Sequence, residues 1–479
     1  MKLLVIDVGT SGVRAGIVSP ERGVAHNHHR EVLPSSPAPG LVEFDAAVMA
    51  AAVLEVAGAA VAEVGGVDAV GIANQRGSTV VWDRATGEAV GPALGWQDLR
   101  TVIDCLTLAG QGLHLAPNLA ATKAAHLLDA ADPNRERDLC VGTVDSWVAW
   151  TLSGGDLHVT DATNAALYGL RTQDQVAWDQ PALDALRIEE RHLPEVVDSI
   201  GVVGEARAIE GSPPIAGILG DQQASLLGQG CVRTGQAKIT FGTGGMLDLC
   251  LDERPPYATR GSGGTFPIVT RSRDGARRWG LEAVMLAAGT NVEWLRDDLA
   301  IIDDAADSHA VASACATSDG VAYVPALLGL GTPTWDYGAR GALLGLTRGS
   351  GRPQIVRAVL EGVAQRAADL VAAAERDGGL TIAALRVDGG MTANPTFIQA
   401  LADATARPVE VSAEREATTL GAAYAAGLAT GAWDGEDAIA ETWSPATVVE
   451  PAGSFDRERW ADTLRRAERW FPDLSAISF

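Results

Sequence analysis

The chain has 479 residues, 47% of them apolar, and a formal net charge of −24. At roughly 100–200 residues per domain the length predicts two domains, and the apolar share fits a well-cored globular protein. The acidic balance argues against a nucleic-acid or anionic-membrane partner, both of which need a basic face, but it leaves room for phosphates held by backbone amides and local cations.

In chain order, residues 3–7 are dense in strand formers and predict a buried strand. Its apolar stretch breaks at Asp7, too short for a signal peptide. Gly9-Thr10-Ser11-Gly12 is a turn, and 13–18 returns as a second strand. Asp45 fits the N-cap of a helix running to about Val64. Glu55 and Glu63 mark that helix as a soluble one rather than a membrane span. Residues 67–72 form a third strand that ends at Asn74-Gln75-Arg76-Gly77, with 79–82 as its hairpin partner. Residues 144–152 predict a helix, on which Trp147 and Trp150 have the spacing of core packing. Residues 215–220 are a short apolar strand, Gly220 a sharp exit, and Ala224 the start of a helix. After about residue 230 the pattern restarts, with a strand at 236–241, a turn over Gly242–Gly245 and a strand at 246–250. Helices follow at about 281–299, 353–376, 394–405 and 417–430, and short strands at 320–325 and 383–388. The five cysteines are scattered without metal-site spacing, which predicts a reducing cytoplasm.

Two segments share one plan. Asp7-Val8-Gly9-Thr10-Ser11-Gly12 and Phe241-Gly242-Thr243-Gly244-Gly245 each set a Gly-Thr turn between two strands, about half a chain apart. The repetition predicts a duplicated domain with both turns facing a shared cleft. Glycines let backbone N–H groups approach phosphate oxygens, and Thr or Ser hydroxyls add donors. The chain contains no G-x-x-x-x-G-K-[ST] and no G-x-G-x-x-G opening a helix after a strand. Asp7 suits a hydrated Mg²⁺, which needs few protein ligands when phosphates supply the rest. Arg14 lies one strand-length on, within reach of a phosphate. A third glycine pair, Asp388-Gly389-Gly390-Met391 with Asn394, either lets a base or ribose lie against the backbone or is an ordinary strand-to-helix turn. Asp221 stands at a strand end, where alpha/beta proteins keep their ligands. It serves equally well as the cap of the next helix.

These and further motifs occur in order along nearly the whole chain. They include Asp7-Val8-Gly9-Thr10, Asn74-Gln75-Arg76, Trp96-Gln97-Asp98, Gly220-Asp221-Gln222-Gln223, Phe241-Gly242-Thr243-Gly244, Glu293-Trp294-Leu295-Arg296-Asp297 and Val387-Asp388-Gly389-Gly390. In these the chain resembles the FGGY family of carbohydrate kinases, and within it the glycerol kinase branch. The resemblance implies an α/β fold of two ribonuclease H-like domains of the actin-like ATPase type, 1–230 and 231–479, with the active site in the cleft between them. It implies ATP-dependent phosphorylation of a hydroxyl of a small polyol or sugar, using ATP and Mg²⁺. Asp221 would be the general base and Asp7 would help place Mg²⁺. Thr10, Ser11, Arg14 and Thr243 would hold phosphates, and Gly289, Glu293, Gly390, Met391 and Asn394 would line the nucleotide. Arg76, Trp96 and Gln222 would contact the polyol, with Gly77 and Asn118 at positions that face it. The same resemblance implies a homodimer or homotetramer.

The departures from that pattern fall at the substrate. Glycerol kinases are similar to Asn-Gln-Arg-Glu at the second motif, where this chain has Gly77, and carry a Tyr where Asn118 stands. Loss of groups that hydrogen-bond a hydroxyl changes specificity. A longer polyol or a ketose is the expected substrate, with glycerol a poor one. The alternative is compensation by Gln97 or Asp98, which leaves a glycerol kinase proper. Glu293 replaces a Gln, and both accept a hydrogen bond. His126 replaces a Trp and, on an apolar helix, is expected to pack. Asp145 and Asp161 are expected to order a helix start and a turn rather than form a metal pair. A catalytically silent actin-like sugar sensor is the more remote alternative, against which Asp7, Asp221 and both turns stand intact.

Overall fold

The computed structural model describes Met1–Phe479. β1 (Leu3–Val8) and β2 (Gly12–Ser19) pair antiparallel across the first glycine turn, with Asp7 opposite Arg14. β3 (Gly23–Glu31) continues the meander beyond β2. β4 (Ala69–Asn74), β5 (Ile200–Glu205) and β6 (Pro214–Gly220) complete a six-stranded sheet in the order β5-β6-β4-β1-β2-β3, in which β1, β4 and β6 are parallel. Those central strands are covered on both faces, so apart from Asp7 and Asn74 near their ends they are apolar rather than alternating.

The plan repeats in the second half. β7 (Ala237–Phe241) and β8 (Gly245–Leu251) pair antiparallel across the second glycine turn. β9 (Phe266–Arg273) and β10 (Ala276–Met285) form a hairpin that adds to β8 through β10. β11 (Leu385–Asp388), β12 (Val409–Ser412) and β13 (Pro445–Val449) complete the order β9-β10-β8-β7-β11-β12-β13. Strand for strand, β3-β2-β1-β4-β6-β5 and β10-β8-β7-β11-β12-β13 agree in order and direction. The two Gly-Thr turns are therefore equivalent positions of a duplicated fold.

Helices cover the sheets. α1 (Ala46–Val64) starts at Asp45, whose side chain accepts from the Ala47 and Val48 amides. It is long and apolar enough to cross a membrane, but here Met49, Val53, Val56 and Ala60 repeat every three or four residues and pack on the first sheet. α2 (Asp221–Gly228) follows β6 directly. α3 (Thr290–Asp297), α4 (Arg352–Gly378) and α5 (Pro395–Thr405) belong to the second half. α6 (Ala417–Thr430) comes from the second half but packs on the first sheet, sharing a core with Leu3, Val5 and Leu219. It lies so close to α2 that a side chain at Gly421 would run into the Ala224 carbonyl. α2 thus sits in the seam between the two halves.

Four expectations change. Thr79–Asp83 does not form a hairpin with β4; it pairs with Leu139–Thr143 in a separate four-stranded sheet. Gly77, at φ 74°, turns the chain out of the first sheet before that strand begins. Residues 281–285 are the end of β10, not a helix, and the helix begins at Thr290. Leu, Glu, Ala and Met favour a helix on their own, but pairing with β8 on one side and β9 on the other overrides that preference. α2 begins at Asp221 rather than Ala224. His126 is exposed instead of packed. By contrast Trp147 and Trp150 are buried, each edge-on to Trp82.

Candidate active site

β6 delivers Asp221 to the cleft as the first residue of α2, behind an N-cap formed by Gly220. An acid is favoured there by the positive end of the helix dipole. Its Oδ1 accepts the Gln222 N–H at 2.8 Å and lies 3.3 Å from Arg76 Nε, while its side chain remains 32% exposed. Capping therefore does not account for Asp221. Burial of its surroundings pushes the carboxyl above its ordinary range, and the Arg76 charge pulls it back. The strand end is fixed from behind. Gly220 N–H donates to Thr163 Oγ1 at 2.9 Å, and Asp161 holds Thr163 while capping the short helix Ala162–Ala165. Asp145 accepts from Thr160 Oγ1 at 2.7 Å and from the Asp161 amide. Both acids are thus occupied as supports, and no group of three or more His, Cys, Asp or Glu side chains forms a metal cluster.

Arg76 joins the two halves. Its Nη2 lies 2.6 Å from Glu282 Oε2 on β10, with the side chains 12% and 9% exposed. Burial opposes the Arg76 charge, but Glu282 and then Asp221 more than offset it, so the guanidinium is held charged. Glu282 is raised by burial and lowered by Arg76. Beside Glu282 lie Asp248 on β8 and Lys238 on β7, direct cross-strand neighbours in one row. Lys238 Nζ is 2.8 Å from Asp248 Oδ2 and donates to Gln222 Oε1 at 2.6 Å. Sequence reasoning missed all three. Lys238 is one of only three lysines, and Asp248 is a lone acid in an apolar strand; both were available signals. Glu282 lay in a segment that predicts a helix, which hides its place in the row.

At the first turn, Gly9 N–H donates to the Gly12 carbonyl at 2.9 Å, and Gln75 Nε2 holds the Gly9 carbonyl at 3.1 Å. Thr10 is half-buried and Ser11 exposed. Burial, then the Asp221 charge, push Asp7 up to about 7, with Arg14 opposing. Arg14 is paired at 3.1 Å with Glu416, just ahead of α6, so a phosphate would share it with that carboxylate.

The nucleotide candidates converge on the end of β7. Gly289 N–H donates to the Gly242 carbonyl at 2.9 Å, and Ala288 N–H to the Thr243 carbonyl at 2.8 Å. Gly389, at φ 93°, lies against the Phe241 carbonyl, which leaves no room for a side chain. Thr243, Gly289 and Gly390 are thereby brought together, with Glu293 exposed on α3. The Met391 side chain is buried in the second core, so only its backbone is left for a nucleotide. Asn394 caps α5 by accepting from the Phe397 N–H at 3.1 Å and donates to Ser308 at 2.9 Å.

Trp96, a candidate contact for the alcohol, links the first turn to Ser78. Its Nε1 donates to Thr10 Oγ1 at 3.2 Å, and its backbone N–H to Ser78 Oγ at 2.9 Å. A side chain at Gly77 would collide with the Asn118 carbonyl, while the Asn118 side chain is exposed. Backbone thus fills space that a Glu at 77 would need. Asp98 is buried and committed to Arg100 and the Val42 N–H, which removes it as a compensating acceptor. Gln97 Oε1 is buried and has no hydrogen-bond partner.

The profile of the FGGY family of carbohydrate kinases, N-terminal domain, matches residues 2–228, and that of its C-terminal domain matches 237–430. A glycerol kinase of Trichlorobacter lovleyi is 42% identical over 499 residues, covering 98% of this chain and 99% of that protein. One of Aromatoleum aromaticum is also 42% identical, over 98% of this chain and 99% of that protein. Among solved structures, Plasmodium falciparum glycerol kinase with ADP superposes with a TM-score of 0.90 at 26% identity, covering 100% of this chain and 99% of that one. A ligand-bound xylulose kinase of Lactobacillus acidophilus shares the fold, with a TM-score of 0.82 at 20% identity over 99% and 96% of the two chains. A duplicated sheet, an acid at the seam and family matches over both halves lead to one conclusion: the chain belongs to the FGGY family of carbohydrate kinases and is an ATP-dependent kinase of small polyols or sugars.

Proposed function

We propose that this kinase transfers the γ-phosphoryl group of ATP to a hydroxyl of a polyol or ketose larger than glycerol, with Asp221 as the general base. The observation that supports it is the placement of Asp221 at the end of β6, paired with Arg76 in the seam between two glycine turns. Phosphoryl transfer to an alcohol asks the protein mainly for positioning and charge stabilisation. Asp221 accepts the proton of the attacking hydroxyl, a contribution of about 10²–10⁴-fold. Arg76 keeps that carboxylate aimed and, with Trp96 and Gln222, holds the alcohol. The amides and hydroxyls of the Thr10–Ser11 and Thr243 turns, with Arg14, receive the phosphates. Gly289, Gly390, the Met391 backbone and Glu293 line the nucleotide, and Asn394 shapes that wall as the cap of α5. Two sheets meeting at α2 exclude water that would otherwise compete with the alcohol.

Asp7, Thr10 and Ser11 offer only oxygen donors, which suit Mg²⁺, and the Asp221 charge that raises Asp7 is a repulsion a cation relieves. Bound there, Mg²⁺ would neutralise phosphate charge. The five free cysteines suit a reducing cytoplasm, and a homodimer or homotetramer is the expected assembly.

The substrate class follows from Gly77 and Asn118, which lack the carboxylate and phenol that the glycerol kinase resemblance leads one to expect. Glycerol itself is the second reading, favoured by the 42% identical glycerol kinases. A coupled ADP-release screen over three- to six-carbon polyols and ketoses decides between them. Glycerol giving the highest kcat/KM would establish the second reading and sink the first.

A further inference from the structure

Gln222 follows Asp221 on the first turn of α2, and its side-chain oxygen accepts from Lys238 Nζ at 2.6 Å. An ammonium donates and never accepts, so the amide atom that faces Lys238 is the oxygen. The amide nitrogen is thereby turned away from Lys238. The lysine has no freedom to release it. Its side chain is fully buried, also donates to Thr240 Oγ1 at 2.9 Å and is ion-paired with Asp248 Oδ2 at 2.8 Å. Asp248 is equally buried and stands directly opposite Lys238 on the neighbouring strand. The second sheet thus reaches under the first residues of α2 with a locked charge pair.

We propose that Lys238, held by Asp248, is a positioning residue that fixes the Gln222 amide with its nitrogen toward the alcohol. The cleft then presents one acceptor, Asp221, beside one donor, Gln222. This rests on the reading of the cleft as an alcohol-phosphorylating site. It also sharpens the substrate class. The reacting hydroxyl donates to Asp221, and a second oxygen of the same molecule accepts from Gln222. A hydroxyl or a ketone oxygen satisfies that donor, whereas a charged amino group in its place does not. Polyols and ketoses are both admitted, and their ammonium analogues are refused.

The test is a double-mutant cycle on the full chain, using Lys238→Met and Gln222→Ala with the best alcohol from the screen. Lys238→Met raises the alcohol KM about tenfold, the worth of one oriented hydrogen bond, and leaves kcat and the ATP KM within about threefold. In the Gln222→Ala background the same substitution changes the KM no further. The preference for the alcohol over its analogue lacking the second oxygen falls by a similar factor in Lys238→Met, a ratio that a merely structural role would not move. Should Lys238→Met not fold, Lys238→Met/Asp248→Leu removes both buried charges together and carries the same cycle. Additive KM effects, or an unchanged alcohol KM in a folded variant, overturn the proposal. A wild-type chain that phosphorylates no alcohol in the screen refutes the proposed function, and this inference with it; an active wild type with an additive cycle refutes this inference alone.

Discussion

Gly77→Glu would put a carboxylate where glycerol kinases are expected to carry one, and the surrounding backbone sets what that costs. Gly77 has φ 74°, a conformation that costs a residue with a Cβ about 1–2 kcal/mol. The first side-chain atom then meets the Asn118 carbonyl, which belongs to the backbone and cannot rotate aside. Forcing an atom into such a packed position costs about 1–3 kcal/mol more. The sum is roughly 2–5 kcal/mol, a large part of the 5–15 kcal/mol that holds an ordinary domain together. Both terms act at Cβ, so Gly77→Ala should lose nearly as much stability as Gly77→Glu. Urea unfolding of the two variants measures this, and glycerol kinetics on whatever folds measures the functional side. No gain in glycerol kcat/KM is expected, because the acid arrives with a displaced Asn118 segment. If Gly77→Glu were as stable as the wild type and used glycerol at least tenfold better, the steric reasoning would be wrong and position 77 alone would set specificity.

Three other outcomes are expected. Asp221→Asn should lower kcat by about 10²–10⁴-fold and leave ADP affinity, measured by calorimetry, near the wild-type value; wild-type turnover would remove Asp221 as the base. The Arg76 charge lowers Asp221, so Arg76→Gln should move the acid limb of the kcat/KM profile to higher pH, and Arg76→Lys should move it less. An acid limb unmoved in Arg76→Gln would show that another group sets it. Lys123 is fully buried with its ammonium on the Pro117 carbonyl at 2.9 Å, and burial lowers it to about 7 from an ordinary 10.5. The unfolded chain therefore binds more protons between those values, and the Lys123 penalty, complete below about pH 7, is relieved as pH rises toward 10.5. Lys123→Met should stabilise the protein by on the order of 4 kcal/mol at pH 7, with the gap closing toward pH 10. A gap in urea unfolding that ignores pH would contradict this.

What the residues disclosed on their own was local. A strand that ends in Gly-Thr, a helix opened by Asp45 and an acid after the apolar run into Gly220 each depend on neighbours in sequence, and each stands in the fold where it was expected. The duplication was legible for the same reason, since both Gly-Thr turns join strands adjacent in chain and space. Thr79–Asp83 misled because a glycine at positive φ diverts the chain to another sheet, and adjacency in sequence no longer means pairing. β10 misled because its helix-favouring residues are held extended by strands on both sides. The row of Lys238, Asp248 and Glu282 was invisible for a deeper reason. It exists only once β7, β8 and β10 are in register; a rare lysine and a lone acid in an apolar strand mark two of its members, but not that they stand side by side.

That row changes how the acid is understood. Asp221, Arg76 and Gln222 come from the first half of the chain, but Arg76 is paired with Glu282 and Gln222 with Lys238, both from the second. Ser225, one turn further along α2, donates to Asp388 on β11 at 2.9 Å. Parting the two sheets at α2 would separate Arg76 from Glu282 and take Gln222 from Lys238 in a dry seam, and breaking one such buried ion pair costs about 3–5 kcal/mol. Both glycine turns leave the sheets at this same end: Val8 and Gly220 are each level with Asn74, and Thr240, just before the second turn, is level with Asp388. The contacts that cross the seam therefore stand beside the phosphate-holding turns, and they come from both halves of the chain.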